Sequence, residues 1–183
     1  MKTIFLILVI LSNCVNPVAQ QLVTGNFMET PLTIHFINKD IGFAGGANSK
    51  WVGEILNTTD GGKSWNRKYV NPSATFANIW MFDQNNILIS GGSKLFRTTN
   101  SGNNWFTILV PAQVSLTSIL FVNENVGYIS GDGFFNPAFL KTTDGGYTWR
   151  NLPLDTNLDL GDVDFVNENT GFAVGNRIIL KTT

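Results

Sequence analysis

One histidine, four arginines, three tyrosines and thirteen acidic side chains are the material for chemistry in this 183-residue chain. A zinc centre needs several His or Cys ligands, and His35 stands alone in the apolar stretch "TIHFI", as a packing or rim residue would. Glu124 and Glu168 hold the same place in two "NEN" turns. A carboxylate pair suits glycoside hydrolysis, but equivalent turns of different repeats lie far apart, so these read as solvated turn residues. "DGGKSW", from Asp60, carries one carboxylate, whereas a calcium loop takes several oxygens. It has glycines but no G-x-x-x-x-G-K-[ST] phosphate loop. The sequence therefore predicts no catalytic residue, cofactor or metal. One pattern remains: Asn57, Arg97, Lys141 and Lys181 each precede a Thr-Thr pair. Arg97, Lys141 and Lys181 at one register would form an arc of positive charge for an acidic protein or glycan partner. The alternative is ordinary solvated strand ends.

These residues belong to a repeat. "TTDGGKSW" starts at Thr58, "TTNSGNNW" at Thr98 and "TTDGGYTW" at Thr142; a shortened copy starts at Thr182. The steps are 40, 44 and 40 residues. A second phrase precedes each copy: "FINKDIGFAGG" from Phe36, "FDQNNILISGG" from Phe82, "FVNENVGYISG" from Phe121 and "FVNENTGFAVG" from Phe165. Each ends on Gly: Gly46, Gly92, Gly131 and Gly175. Every unit divides into four short strand candidates between Asn, Asp and Gly clusters, and no stretch holds a helical period. In the third unit these are "LTSILFV", "VGYISG", "AFLKTT" and "YTWRNL". Four antiparallel strands at this period predict an all-β fold, a β-propeller of four-stranded blades. The blades are placed at 32–70, 76–110, 116–154 and 160–183, about 3.75 in all.

The eight-residue phrase falls between the third and fourth strands of a blade. Asp60 and Asp144, and Asn100 as a neutral acceptor, are expected to bind N–H groups one to three residues ahead. Gly62, Gly102 and Gly146 sit where a left-handed backbone is expected. Thr58, Thr98 and Thr142 suit the end of a strand. Trp65, Trp105 and Trp149 are expected to pack between blades. Each would contribute up to roughly 4–6 kcal/mol, from ~150–250 Å² at ~25 cal/mol/Å².

Thr58–Trp65 and Thr142–Trp149 fit T-x-D-x-G-x-[ST]-W, which resembles the Asp-box, or bacterial neuraminidase repeat; the second copy departs at Asn100 and Asn104. The preceding F-x-[ND]-x-x-x-G-[FY]-x-x-G phrase resembles the photosystem II stability/assembly factor-like family. The resemblance covers Phe36 to Thr183 and implies an Asp-box propeller, a photosystem II assembly role in some relatives, and export in many. It also raises a sialidase-type hydrolase, with an Arg triad, a Tyr nucleophile beside a Glu, and an Asp acid. Arg67, Arg97, Arg150 and Arg177 lack the F-R-I-P context of those enzymes, and "FRTT" at Phe96 is a strand end. Tyr69, Tyr128 and Tyr147 occupy ordinary repeat positions. The functional expectation is a non-catalytic binding scaffold; a hydrolase fragment and a structural module of a larger surface protein are the alternatives.

Lys2, the apolar run "IFLILVIL" and Ala19 form an export signal over 1–19, with cleavage near Ala19 and a mature chain of 20–183. Cys14, the only cysteine, gives "LSNC" a lipoprotein-like alternative. No run is long enough for a transmembrane helix. A formal charge of −1 gives no basis for nucleic-acid binding. "KTT" at the end suggests further blades in a longer chain. The other expectation is that "QLVTGNF", Gln21 to Phe27, closes a four-bladed ring as its sixteenth strand.

Overall fold

The computed structural model describes residues 28–133, 137–154 and 159–182. The residues expected to form an export signal, Cys14 and the expected closing strand at 21–27 lie outside the described residues. Blade 1 holds β1 (Thr30–Phe36), β2 (Gly42–Ala47), β3 (Gly53–Thr58) and β4 (Asn66–Asn71). Blade 2 holds β5 (Phe76–Met81), β6 (Ile87–Gly91), β7 (Lys94–Thr98) and β8 (Phe106–Ile108). Blade 3 holds β9 (Ser115–Phe121), β10 (Gly127–Asp132), β11 (Ala138–Thr142) and β12 (Arg150–Asn151). Blade 4 holds β13 (Leu160–Phe165), β14 (Gly171–Gly175) and β15 (Ile178–Lys181). Strands pair in chain order within each sheet, all antiparallel. Among the described residues the fold is an all-β partial propeller whose ring is not closed. Among the described residues no helix is long and apolar enough to cross a membrane.

The first turn of every blade is closed by one side chain. Asn38, Asp83, Asn123 and Asn167 each accept from the N–H groups two and three residues on, at 2.6–2.9 Å. A short polar acceptor there replaces the backbone partner that the reversing chain lacks. The first strand of every blade also carries a bulge. Leu32, Ala77, Thr117 and Gly161 are each skipped in the pairing with the second strand. The extra residue bends the strand and releases its polar groups from the ladder.

Blade 2 departs from the expected alignment by one residue. Gly42, Gly127 and Gly171 pair with Phe36, Phe121 and Phe165, but the equivalent pair is Ile87 with Met81, not a residue paired with Phe82. A Cβ on Gly127 would sit 2.6 Å from the Phe121 ring. Phe over Gly and Met over Ile are thus two fillings of one space. The phrase-ending glycine of blade 2 is accordingly Gly91, which pairs with Phe76 as Gly131 pairs with Leu116.

Blades pack face on face. One buried cluster joins Phe43 and Ile55 of blade 1 to Phe76, Ile79, Met81, Ile89 and Phe96 of blade 2. A second joins Leu88 and Leu95 to Ile119, Phe121, Ile129, Leu140 and Trp149. A third joins Tyr128 and Phe139 to Leu160, Val163 and Ala173. Two polar latches accompany them. Asn78 donates to the Leu116 carbonyl at 3.2 Å, and the Thr117 hydroxyl to the Leu160 carbonyl at 2.9 Å. Both acceptors adjoin the bulge of the next blade.

Candidate functional site

Antiparallel order sends the β1–β2 and β3–β4 turns to one end of each blade. The β2–β3 loops and the links between blades go to the other. The repeated eight-residue turns therefore share one face, and each is tied to the first turn of its own blade. Gly61 N donates to the Asp40 carbonyl at 2.9 Å, Ser101 N to Asn85 at 3.1 Å and Gly145 N to Asn125 at 2.8 Å.

Inside each turn the buried threonine hydroxyl is the hub. Thr142 Oγ1 accepts from Gly146 N at 3.0 Å and Asp144 N at 3.3 Å, and donates to Asp144 Oδ1 at 2.7 Å. Thr58 and Thr98 repeat this with Gly62 and Asp60, and with Gly102 and Asn100. The acidic side chain reaches further along the chain than expected. Asp144 Oδ1 accepts from Tyr147 N at 3.0 Å and Thr148 N at 2.9 Å, and Oδ2 from the Thr148 hydroxyl at 2.6 Å. Asp60 does the same with Ser64 N at 2.9 Å and its hydroxyl at 2.6 Å. Partners one to three residues ahead are corrected to three and four, because the threonine hydroxyl already serves the nearer N–H groups. Asn100 accepts only from Asn104 N and the Thr98 hydroxyl.

The Ser64 hydroxyl and N–H, followed by the Thr58 hydroxyl, hold the Asp60 carboxyl down to about 2. At Asp144 burial pushes up, but bonds from Thr148, Thr142 and Tyr147 outweigh it, and the net direction is down. A carboxylate held ionised by its own turn is a poor proton donor. Gly62, Gly102 and Gly146 take the expected left-handed φ of 84°, 77° and 86°. Ser101 is also left-handed, at 58°, where its hydroxyl lies 2.7 Å from Asn85 Oδ1.

The tryptophans end the turns instead of entering the fourth strands, which begin one residue later. Trp105 and Trp149 fold back to donate Nε1 to the Gly102 and Gly146 carbonyls at 3.1 Å. Trp105 meets Tyr69 of blade 1 at 6.0 Å between rings, and Trp149 joins the cluster between blades 2 and 3. Trp65 lies edge-on to Phe36 of its own blade at 5.9 Å.

The basic register is not a uniform arc. Arg97 is only 5% exposed and donates to the Gly145 carbonyl of blade 3. Its guanidinium lies between the Phe82 ring, 5.0 Å away, and the Tyr147 ring, 4.1 Å away. This cation is committed to a blade junction. Lys141 reaches the Glu168 carbonyl at 3.4 Å and covers Tyr128, whereas Lys181 is exposed beside Phe172. Glu124 and Glu168 are exposed turn residues of blades 3 and 4, and Glu168 Oε1 accepts from Asn123 at 2.6 Å, so the first turns of adjacent blades meet instead of lying far apart as expected. His35 lies 6.1 Å from Trp80 across the first junction, where burial lowers its basicity.

The opposite face is built differently. The β2–β3 loop of blade 1 is pinned by Asn48, whose Oδ1 accepts from Lys50 N at 2.9 Å and Val52 N at 3.2 Å. Trp51 N donates to the Asn48 carbonyl at 2.9 Å. Trp51 is held at φ 61° with 71% of its surface in water. A bulky residue at positive φ is strained by about 1–3 kcal/mol and persists only where its surroundings impose it. Leu109, on the link from blade 2 to blade 3, is also exposed on this face. Burial raises the Asp132 carboxyl, as does the charge of its hydrogen-bonded neighbour Asp159. Among the described residues no three His, Cys, Asp or Glu gather as a metal centre.

Three solved structures share this fold, and a fourth is reported beside them. The chain is 15% identical to the GH74 enzyme of Niastella koreensis, with a TM-score of 0.64 over 79% of this chain and 26% of that one. An ancestral GH74 enzyme gives 15% identity and a TM-score of 0.65 over 87% and 26%. The chain thus spans about a quarter of the length of either enzyme. The computationally designed Ika4 protein is 11% identical, with a TM-score of 0.60 over 90% of this chain and 99% of that one. YCF48 bound to D1 peptide is 14% identical, with a TM-score of 0.34 over 84% and 91%. At these identities the first three likenesses concern the fold. No curated protein matches. Residues 15–115 and 101–183 match one family, described as photosynthesis system II assembly factor YCF48. The repeated threonine-centred turns, the blades they close and this match together make the chain a member of the YCF48 family of propellers.

Proposed function

We propose that this chain is an exported, non-catalytic propeller scaffold that binds a protein partner on the face opposite its Asp-box turns. The observation that carries the reading is Trp51: a large apolar side chain, fixed in a strained conformation by its own loop and left in water. Exposed tryptophans on rigid loops are characteristic anchors of protein interfaces. The Asp-box face argues the other way, because its carboxylates and hydroxyls are engaged inside their own turns. The family description names an assembly factor, which agrees with binding without chemistry. Export rests on the charged, apolar and small-residue sequence of 1–19.

The test is capture on immobilised protein from the exported fraction of its source, run beside Trp51→Ala. The reading expects a defined protein that the variant loses at least tenfold. Equal capture by both, or release of reducing ends from polysaccharides by the unmodified protein, overturns it.

A further inference from the structure

The loop that holds Trp51 stands on a buried acid. Glu54, on β3, is 4% exposed. Its Oε1 accepts from Asn48 Nδ2 at 3.3 Å, and its Oε2 lies 3.2 Å from Arg67 Nη2 on β4. Asn48 turns the other atom of its amide to the loop, where Oδ1 accepts from Lys50 N and Val52 N. A carboxylate only accepts, whereas an amide has one accepting and one donating end. Glu54 therefore settles which way the Asn48 amide points. With that amide turned over, Nδ2 would face two N–H groups and Oδ1 would face the carboxylate, so all three contacts would fail together.

The acid is matched to this loop. Glu54 pairs with Gly46, and the residues paired with the equivalent glycines of the other blades are Lys94, Ala138 and Ile178. A blade thus forms without an acid at this register. Blades 2 and 4 pass from second to third strand through two residues, 92–93 and 176–177, against five in blade 1. A buried charge destabilises a fold unless it is paired and hydrogen-bonded. Blade 1 carries such a charge under the loop that presents its exposed tryptophan.

We infer that Glu54 is the positioning residue of the Trp51 anchor. Held by Arg67, it orients Asn48, and Asn48 fixes the loop 48–52 that presents the indole. Its part in binding rests on the docking function proposed above; its hold on the loop does not.

Limited trypsin digestion of the full chain reads that hold without a partner, because Lys50 supplies a cleavage site within the loop. A pinned loop opens rarely and is cut slowly. Glu54→Ala copies the residue of blade 3. It should speed the cut after Lys50 about tenfold, the effect of losing one hydrogen bond to a charged group, while the cuts after Lys63 and Lys94 keep their rates. Asn48→Asp should do the same by setting two carboxylates against each other. Asn48→Asp combined with Glu54→Gln exchanges donor and acceptor, and should bring the Lys50 rate back to within about twofold of the parent. Equal Lys50 rates in the parent and Glu54→Ala overturn the inference. So does a double variant cut as fast as Asn48→Asp alone, or an equal acceleration at all three lysines, which is what a general loss of stability would give. Capture, run on the same variants, separates this inference from the docking function. If Glu54→Ala loosens the loop yet captures as the parent does, the docking function fails and the hold of Glu54 on the loop stands. If Trp51→Ala loses capture while Glu54→Ala is cut no faster after Lys50, the docking function stands and this inference fails.

Discussion

Replacing Thr142 by valine keeps the shape of the side chain and removes one hydroxyl. In the structure that hydroxyl is buried, with Thr142 only 1% exposed, and it is the acceptor for Gly146 N at 3.0 Å. Gly146 is itself buried, so its N–H would lose its partner without gaining water. An orphaned buried donor costs about 1–3 kcal/mol. The lost bond to Asp144 adds little, because that carboxylate is exposed and water replaces the donor. Thr142→Val should therefore lower stability by about 1–3 kcal/mol. Urea unfolding followed by tryptophan fluorescence measures this directly, with the slope unchanged if the compactness of both states is preserved. Thr143→Val, one residue on and exposed, is the control and should stay within about 0.5 kcal/mol of the parent. If the two variants unfold at the same urea concentration, the threonine hydroxyl is not the hub of the turn.

Gly127→Ile should destabilise by about 1–3 kcal/mol through its clash with the Phe121 ring, and Phe121→Met in the same chain should recover most of the loss. Arg97→Ala should cost about 1–3 kcal/mol, since it removes a buried cation from two rings and a carbonyl, whereas Lys181→Ala should change stability by less than about 0.5 kcal/mol. Acid should weaken the fold through Asp60. Its ordinary value of 3.8 falls to about 2 in the turn, so its stabilisation is complete above pH 4 and disappears as pH falls through 2. Asp60→Asn should flatten that part of the stability–pH curve; an unchanged acid limb would mean that the turn does not hold the charge.

The period of the repeat, the strand count per blade and the left-handed glycines were all legible in the sequence, because turn chemistry and strand alternation are local. Register was not. Phe82 matches the letter that opens each phrase, yet Met81 fills the position, since the space is shared with Ile87 across the sheet. The threonine read as a strand residue because its β-branch suits a strand; its hydroxyl matters only once the turn folds over it. Arg97 looked like one member of a basic series. Only the approach of blade 3, with Tyr147 and the Gly145 carbonyl, buries it. Trp51 was not legible as an exposed anchor, because its five-residue β2–β3 loop replaces the two-residue turns of blades 2 and 4, where Gly92 and Arg177 take the left-handed position.

In the proposed function the Asp-box turns build the blades while the opposite face makes the contact. Hydrogen exchange of the chain with and without its captured partner tests this most directly. Added protection is expected over residues 48–52 and around Leu109, with no change over 58–65, 98–105 and 142–149. Protection confined to the Asp-box turns, with residues 48–52 unaffected, would contradict it.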